Sequence, residues 1–375
     1  MYDVIVIGSG VMGMSVARKL SEAGLHIAVI DRDVPGMHAS YKAGGMLGAQ
    51  NEFLEDSDLF KLATRSQKMF KTLSDELNSE VGIDIQYIES GLIKLADESN
   101  DNVTIEQQYQ FLHQHNPDVE LLNEDRMHQL TGGNSHLANR TAMYIPDDHQ
   151  INANYYTKAL FHSLKRRNID RIFKTEVESI QSVEGGGYKV LTQDDVLIGQ
   201  QVVVAGGAWS GQLLGSYIQD KCVTGVKGEV LLVEQPHLNL DTTLFTTSGC
   251  YIVPKQKDRY LIGATSYFDD YSVGVSEEGR NWLLERATKH VPGLKESKIL
   301  KQWSGVRPYC TNEQPIMDEV SRDLFVITGH YRNGILLSPI IGELMSQWIL
   351  NQHRPQILES FQIERRQRNA LHHQW

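Results

Sequence analysis

Val4-Ile5-Val6-Ile7-Gly8-Ser9-Gly10-Val11-Met12-Gly13 opens the chain with a short apolar run and glycines at G-x-G-x-x-G spacing. A helix-patterned stretch continues to Leu20, Gly24 ends it, and His26 to Ile30 leads up to Asp31. Each part has a mechanical role: Gly8 makes the tight turn, Gly10 lets backbone approach a pyrophosphate, and Gly13 allows close packing of helix on strand. The helix N-terminus supplies unpaired N–H groups and a positive dipole end for phosphates. Asp31 stands where an acid accepts from ribose hydroxyls. Glycine turns alone are common, but this one lies between a strand and a helix with an acid closing the next strand, so the unit reads as a dinucleotide site. The spacing does not separate FAD from NAD.

The chain has 375 residues, enough for a large core and two or three domains. A hydrophobic share of 41% with 22% charged residues is that of a soluble globular protein. The net charge of −11 disfavours a nucleic-acid or anionic-membrane surface, while a small anionic substrate needs only one local cation. Cys222, Cys250 and Cys310 are far apart with no C-x-x-C pair, so neither a disulfide framework nor a metal site is expected. No basic segment precedes the first strand, and no apolar run reaches membrane-helix length. The expectation is a cytoplasmic protein in which Asn102-Val103-Thr104 and Asn139-Arg140-Thr141 are accidental sequons.

Beyond the first unit, a polar stretch from Pro35 to Gly48 precedes a helical pattern from Leu59 to Val81 that breaks at Gly82. Ile85 to Tyr87 and Gly91 to Leu95 read as strands, Glu106 to His113 and Tyr155 to Arg167 as helices. Ile172 to Val177, Tyr188 to Leu191 and the apolar Val202 to Ala205 read as strands, the last ending in Gly206-Gly207 at a sheet's C-terminal edge, where ligands bind. Val230 to Val233, Tyr251 to Val253 and Tyr260 to Ile262 predict an antiparallel second sheet. A helix over Glu277 to His290 stops at Pro292-Gly293; a strand over Phe325 to Thr328 and a helix over Gly334 to Leu350 follow. Glu364 to Arg368 reads as a solvated basic helix face. The pattern is a nucleotide-binding fold interrupted by a sheet-rich domain.

Several segments carry a resemblance that runs nearly end to end: Ala43-Gly44-Gly45-Met46-Leu47-Gly48-Ala49, Val203-Val204-Ala205-Gly206-Gly207-Ala208-Trp209-Ser210, Val226-Lys227-Gly228-Glu229, Tyr251-Ile252-Val253-Pro254 and Ile262-Gly263-Ala264-Thr265. Gly305-Val306-Arg307-Pro308 and Gly329-His330-Tyr331-Arg332-Asn333-Gly334-Ile335-Leu336-Leu337-Ser338-Pro339 are the most specific of them. With these the chain resembles the D-amino-acid oxidase superfamily of flavoproteins, and most closely the glycine oxidases of bacterial thiamine biosynthesis. The resemblance implies an α/β fold with an α+β second domain. A Rossmann-like FAD-binding domain of the D-amino-acid oxidase and glutathione-reductase type, residues 1–84, 147–220 and 303–375, would be interrupted by an antiparallel-sheet substrate domain, residues 85–146 and 221–302. It also implies noncovalent FAD, a small amino-acid substrate, oxygen as acceptor with peroxide as product, and a homotetramer.

Cofactor contacts are implied for Gly8, Gly10, Val11, Met12, Gly13, Asp31 and Arg32, for Lys42, Ala43, Gly44, Gly45, Met46 and Leu47, and for Val177 on the adenine side. Ala205, Gly206, Gly207, Trp209, Arg307, His330, Arg332, Asn333, Gly334, Ile335 and Leu336 complete the set. The glycines of the 44–48 loop would let backbone pass close to the flavin, and the helix from Gly334 would aim its dipole where negative charge gathers on reduction. Arg307 is the expected substrate anchor, since a planar guanidinium pairs a carboxylate bidentately, with Tyr251 adding a phenolic hydrogen bond and Arg332 nearby. No general base is expected, and His330 is read as structural. Gly249 and Ser266 are smaller than the residues usual in glycine oxidases, which implies a roomier pocket admitting sarcosine and small D-amino acids. Covalent flavin attachment, as in sarcosine oxidases, is not expected, because Arg307 occupies the comparable place, although Cys310 is close in sequence.

Overall fold

The computed structural model describes residues 1–218 and 222–363, and the basic stretch Glu364 to Arg368 lies outside them. Strand Tyr2–Ile7 forms the centre of the first sheet, in the spatial order Ile316–Ser321, Leu324–Thr328, Val196–Val204, Tyr2–Ile7, Ile27–Ile30, Asp170–Ile172. Tyr2–Ile7 runs parallel to both neighbours, as a strand buried on both faces and built of Val and Ile should. Val177–Ser182, Tyr188–Thr192 and Val196–Val204 add an antiparallel meander. Helices Val11–Leu20, Asp58–Val81, Ala153–Arg166 and Gly334–Asn351 pack against one another around the largest core.

The helix boundaries follow local chemistry. Ser57 Oγ accepts from the Phe60 N–H at 3.1 Å, and Gly82 ends the helix in a left-handed conformation, φ 71°. Between them Leu59, Leu62, Ala63, Phe70, Leu73 and Leu77 form the buried stripe that a 3.6-residue period places on one face. Gly334–Asn351 contains Pro339, which removes the donor for the Ile335 carbonyl; Ser338 Oγ donates to that oxygen at 2.8 Å and is itself paired with the Tyr156 hydroxyl at 2.7 Å. The helix therefore continues through the proline.

The second sheet runs Tyr267–Phe268, Val223–Glu234, Arg259–Gly263, Tyr251–Lys255, Thr243–Thr246, Leu92–Leu95, Ala142–Ile145, Glu120–Leu121, with Lys298–Cys310 also paired to Val223–Glu234. It is antiparallel apart from Thr243–Thr246 against Leu92–Leu95, which run parallel. The 13-residue strand Lys298–Cys310 belongs wholly to this sheet, so the expected boundary at residue 303 falls inside it.

Two expected strands are not formed. Ile85 to Tyr87 is interrupted by Gln86 at φ 56°, whose N–H is taken by Asp84 Oδ1 at 2.7 Å in a local side-chain turn. The strand expected over Ile172 to Val177 stops at Ile172, because Lys174 turns at φ 55° and Thr175 N–H is captured by the Asp31 carbonyl at 3.0 Å. A separate strand begins at Val177. This break carries Thr175 to Glu178 across the end of the first sheet, into the wall of the site.

Candidate functional site

A cavity of about 450 Å³ lies where the two sheets meet, a size typical of a ligand or cofactor pocket. Its wall includes Gly8, Gly10, Val11, Met12, Asp31, Arg32, Lys42, Ala43, Gly44, Gly45, Met46, Val177, Ala205, Gly206, Gly207 and Trp209. The same wall holds Gly249, Tyr251, Ser266, Arg307, His330, Arg332, Asn333, Gly334 and Ile335. Of the residues anticipated from sequence, Gly13, Leu47 and Leu336 stand behind it. Leu47 and Leu336 are core residues, and a Cβ on Gly13 would overlap the Gly8 carbonyl oxygen.

The glycine turn is fixed by the strand beneath it. Gly8 sits at φ 109°, and a Cβ there would overlap the Ala205 carbonyl oxygen on the adjoining strand. Asp31 accepts from the Ser9 N–H and the Ser9 hydroxyl, both at 2.7 Å, and from the Asp33 N–H at 2.9 Å. Three donors leave about one of a carboxylate's four lone-pair sites for a ligand hydroxyl. Asp31 therefore braces the turn as well as facing the cavity. Gly10 gives the helix no side-chain cap, and Ser40 Oγ accepts from the Val11 N–H at 3.0 Å. The Arg32 guanidinium lies 4.2 Å from the centre of the Trp209 ring, and the His38 ring packs against the same indole with centres 4.7 Å apart.

Arg307 stands opposite Val226 in the strand pair, and its guanidinium leans over Gly228, where a Cβ would overlap it. Nη1 donates to Ser266 Oγ and Nη2 to the Thr265 carbonyl, each at 3.2 Å. Ser266 is thus more than a small residue: it orients the guanidinium. Tyr251 stands opposite Gly263, and a Cβ on Gly263 would overlap its ring, while one on Gly44 would come within 3.1 Å of its hydroxyl. Burial raises the Tyr251 pKa against the opposing pull of Arg307 and Arg332, so the phenol stays a donor at neutral pH. Arg307 and Arg332 both flank Tyr331, at 5.9 and 5.2 Å from its ring centre.

Glu52, Ser40 and Phe245 also line the cavity and were not anticipated. Glu52 Oε2 faces Arg332 Nη1 at 4.0 Å. Burial would lower the Arg332 pKa, but Glu52 and Tyr331 outweigh it and raise it. The loop carrying Glu52 is tied to buried Asp148, which accepts from the Asn51 N–H and Gln67 Nε2, both at 2.8 Å. Lys94 donates to the Asn51 carbonyl at 2.9 Å, and burial brings its ammonium down to about 8. The available signal for Glu52 was position: it follows the 44–48 glycine loop within the same turn of chain. Cys310 is fully buried outside the cavity wall.

The family model of the FAD dependent oxidoreductases matches residues 3–348. A glycine oxidase of Geobacillus kaustophilus is 36% identical over 97% of this chain and 97% of its own length. The crystal structure of glycine oxidase from that organism superposes with a TM-score of 0.93 at 35% identity, covering 96% of this chain and 98% of the other. A bifunctional ThiO/ThiG protein of Trichormus variabilis is 28% identical over 98% of this chain and 56% of its own length.

Proposed function

Because the chain belongs to the FAD dependent oxidoreductase family, we propose that it is an amino-acid oxidase whose substrate is glycine, with sarcosine and small D-amino acids as further substrates. The observation that carries this reading is Arg307. A guanidinium held on Ser266 and Thr265 has N–H groups to spare, and it lines the same cavity as the glycine turn and the 44–45 backbone. A lone carboxylate is the ligand group such a fork fits.

The residues present fit FAD. Gly8 and Gly45 bring bare backbone to the wall where any side chain would collide, and Asp31 with the helix start at Gly10, where Ser40 takes only the Val11 N–H, offers an acceptor and N–H donors for a ribose and phosphates. We place the adenosine half among Asp31, Arg32, Val177 and Trp209, and the ring among Gly44 to Met46, Arg307 and His330 to Ile335. Burial of Cys310 away from the wall supports noncovalent attachment. When bound, FAD would supply a two-electron acceptor for the hydride of the substrate α-carbon, with oxygen as the final acceptor to give peroxide, and the imine left behind would hydrolyse to glyoxylate and ammonia.

The chain's own part is orientation and exclusion of water. Arg307 fixes the carboxylate in one plane, and the Tyr251 hydroxyl donates to the same group, so only rotation about one bond remains for the α-carbon. No side chain is assigned an acid or base role. Gly249, at φ 85° and 3.9 Å from Arg332 Nη2 by its missing Cβ, leaves room beside the carboxylate site for an N-methyl or small D-side chain. Relation to the ThiO/ThiG protein supports delivery of the imine to thiazole synthesis as the physiological use.

The test is peroxide release from the FAD-loaded protein on adding glycine, sarcosine, D-alanine and D-proline in turn. Peroxide with glycine supports the reading. Bleaching of bound flavin by an amino acid with no peroxide in air would make the protein an electron-transferring dehydrogenase of the same fold.

A further inference from the structure

Lys255 ends strand Tyr251–Lys255, four residues from Tyr251 and on the same face by the two-residue period. Its ammonium is buried, and it donates to three oxygens: the Gly44 carbonyl at 2.9 Å, Gln150 Oε1 at 2.9 Å and the Ile151 carbonyl at 3.0 Å. All three acceptors are neutral. The same segments are tied a second time, since the Ile151 N–H donates to the Gly45 carbonyl at 2.8 Å, and a Cβ on Gly45 would overlap the Ile151 oxygen.

Burying a cation against neutral partners is costly, and a glutamine amide would hold two of these oxygens without that cost. What the charge adds is a field along one peptide. In a trans peptide the carbonyl and the next N–H point in opposite directions. Lys255 draws the Gly44 carbonyl away from the cavity, so the Gly45 N–H is turned toward the wall that Gly44 and Gly45 line. A charged donor on the carbonyl also polarises the peptide and strengthens its N–H as a donor.

We propose that Lys255 is a positioning residue that acts through the Gly44–Gly45 peptide, aiming and polarising the Gly45 N–H at the flavin ring and favouring the reduced, more negative cofactor. The proposal rests on the reading that the 44–46 loop faces the ring. Burial brings the ammonium down to about 7, so the charge and its effect on the potential are fullest below that pH, where the potentials are compared.

The experiment uses Lys255→Met, Lys255→Gln and Lys255→Arg beside Asp31→Asn. FAD affinity is read by fluorescence titration of the apoprotein, and the midpoint potential of the bound flavin by dye equilibration. Lys255→Met and Lys255→Gln should each lower the potential by at least a tenfold change in the reduced-to-oxidised ratio, about 30 mV for a two-electron couple. Lys255→Arg, which keeps the charge, should stay within threefold of the parent. A potential unchanged in Lys255→Gln while Asp31→Asn weakens FAD binding would overturn the proposal and leave the cofactor site standing. FAD affinity unchanged in Asp31→Asn would remove the site reading, and the proposal with it.

Discussion

Replacing Arg307 by lysine should separate geometry from charge at the carboxylate anchor. The guanidinium has five N–H groups, and two are spent on Ser266 Oγ and the Thr265 carbonyl at 3.2 Å, which sets the plane of the group and leaves enough for a two-point contact. A lysine ammonium keeps the charge, but its three donors diverge from a single atom, so it cannot hold Ser266 and Thr265 and still meet the carboxylate at two points. The expected loss is one charge-assisted hydrogen bond, about 2 kcal/mol, or about 30-fold in kcat/KM. Arg307→Met loses both contacts and the charge, on the order of 4 kcal/mol and roughly a thousandfold. Steady-state peroxide formation from glycine measures both, and the flavin absorbance of each purified variant reports whether the cofactor is retained. The loss should appear chiefly in KM, and acetate should inhibit the variants in the same order as it inhibits the parent but more weakly. A value for Arg307→Lys within threefold of the parent, with flavin intact, refutes the two-point anchor.

Gly8→Ala puts a methyl into the Ala205 carbonyl at φ 109°, and FAD affinity of the apoprotein should fall at least a hundredfold in a fluorescence titration. Ser266→Met both fills the wall beside Arg307 and removes its hydrogen-bond partner, so KM should rise for every substrate and more for sarcosine than for glycine in the peroxide assay. Lys255, at about 7 in the folded protein against an ordinary 10.5, makes the unfolded chain bind more protons across that window; stability of the FAD-saturated protein to urea should therefore rise with pH between about 7 and 10.5. In Lys255→Met that rise should flatten by up to about 1.4 kcal/mol per pH unit, and parallel curves for the two proteins would contradict the buried charge.

The nucleotide end was legible because its information is local. Gly8, Gly10, Gly13 and Asp31 fall within one strand-turn-helix-strand unit, and each role follows from backbone sterics. The other end was not legible from local pattern. Tyr251 and Arg307 lie on strands joined only through Val223–Glu234 and Arg259–Gly263, and the glycines that make room for them, Gly228 and Gly263, are identified by cross-strand register rather than by spacing. There the resemblance to known flavoproteins supplied Arg307, Tyr251 and Arg332. Lys255 and Lys94 were missed for a physical reason: a lysine in a short strand reads as solvated, and only the carbonyls that receive the two ammoniums, Gly44 and Ile151 for one and Asn51 for the other, reveal that they are buried. The strand Lys298–Cys310 was missed because its first half, Lys298 to Trp303, is mostly exposed and mixes polar with apolar residues without alternating them.

The charges around the cavity bear on how a zwitterion would react in the proposed oxidation. Arg307 and Arg332 line this end of the cavity, Lys94 is close enough to feel Arg332 and Glu52, and the carboxylate that faces Arg332 there is Glu52. A protein with a net charge of −11 has therefore placed a local excess of cations where an amino acid must sit. An incoming carboxylate is drawn in, but the ammonium of a zwitterion enters the same field and is disfavoured. The field lowers the pKa of a substrate amine bound there, and its proton is lost to solvent. Tyr251 contributes without competing for that proton, since burial raises its pKa and keeps it a donor to the carboxylate. On the proposed hydride reading, the neutral amine is then favoured by the cations at this end of the site. Removing one of these cations without touching the anchor should shift the acid limb of the kcat/KM profile to higher pH. Arg332→Gln is the variant that tests this, and an acid limb unmoved in glycine turnover would mean that the amine loses its proton by another route.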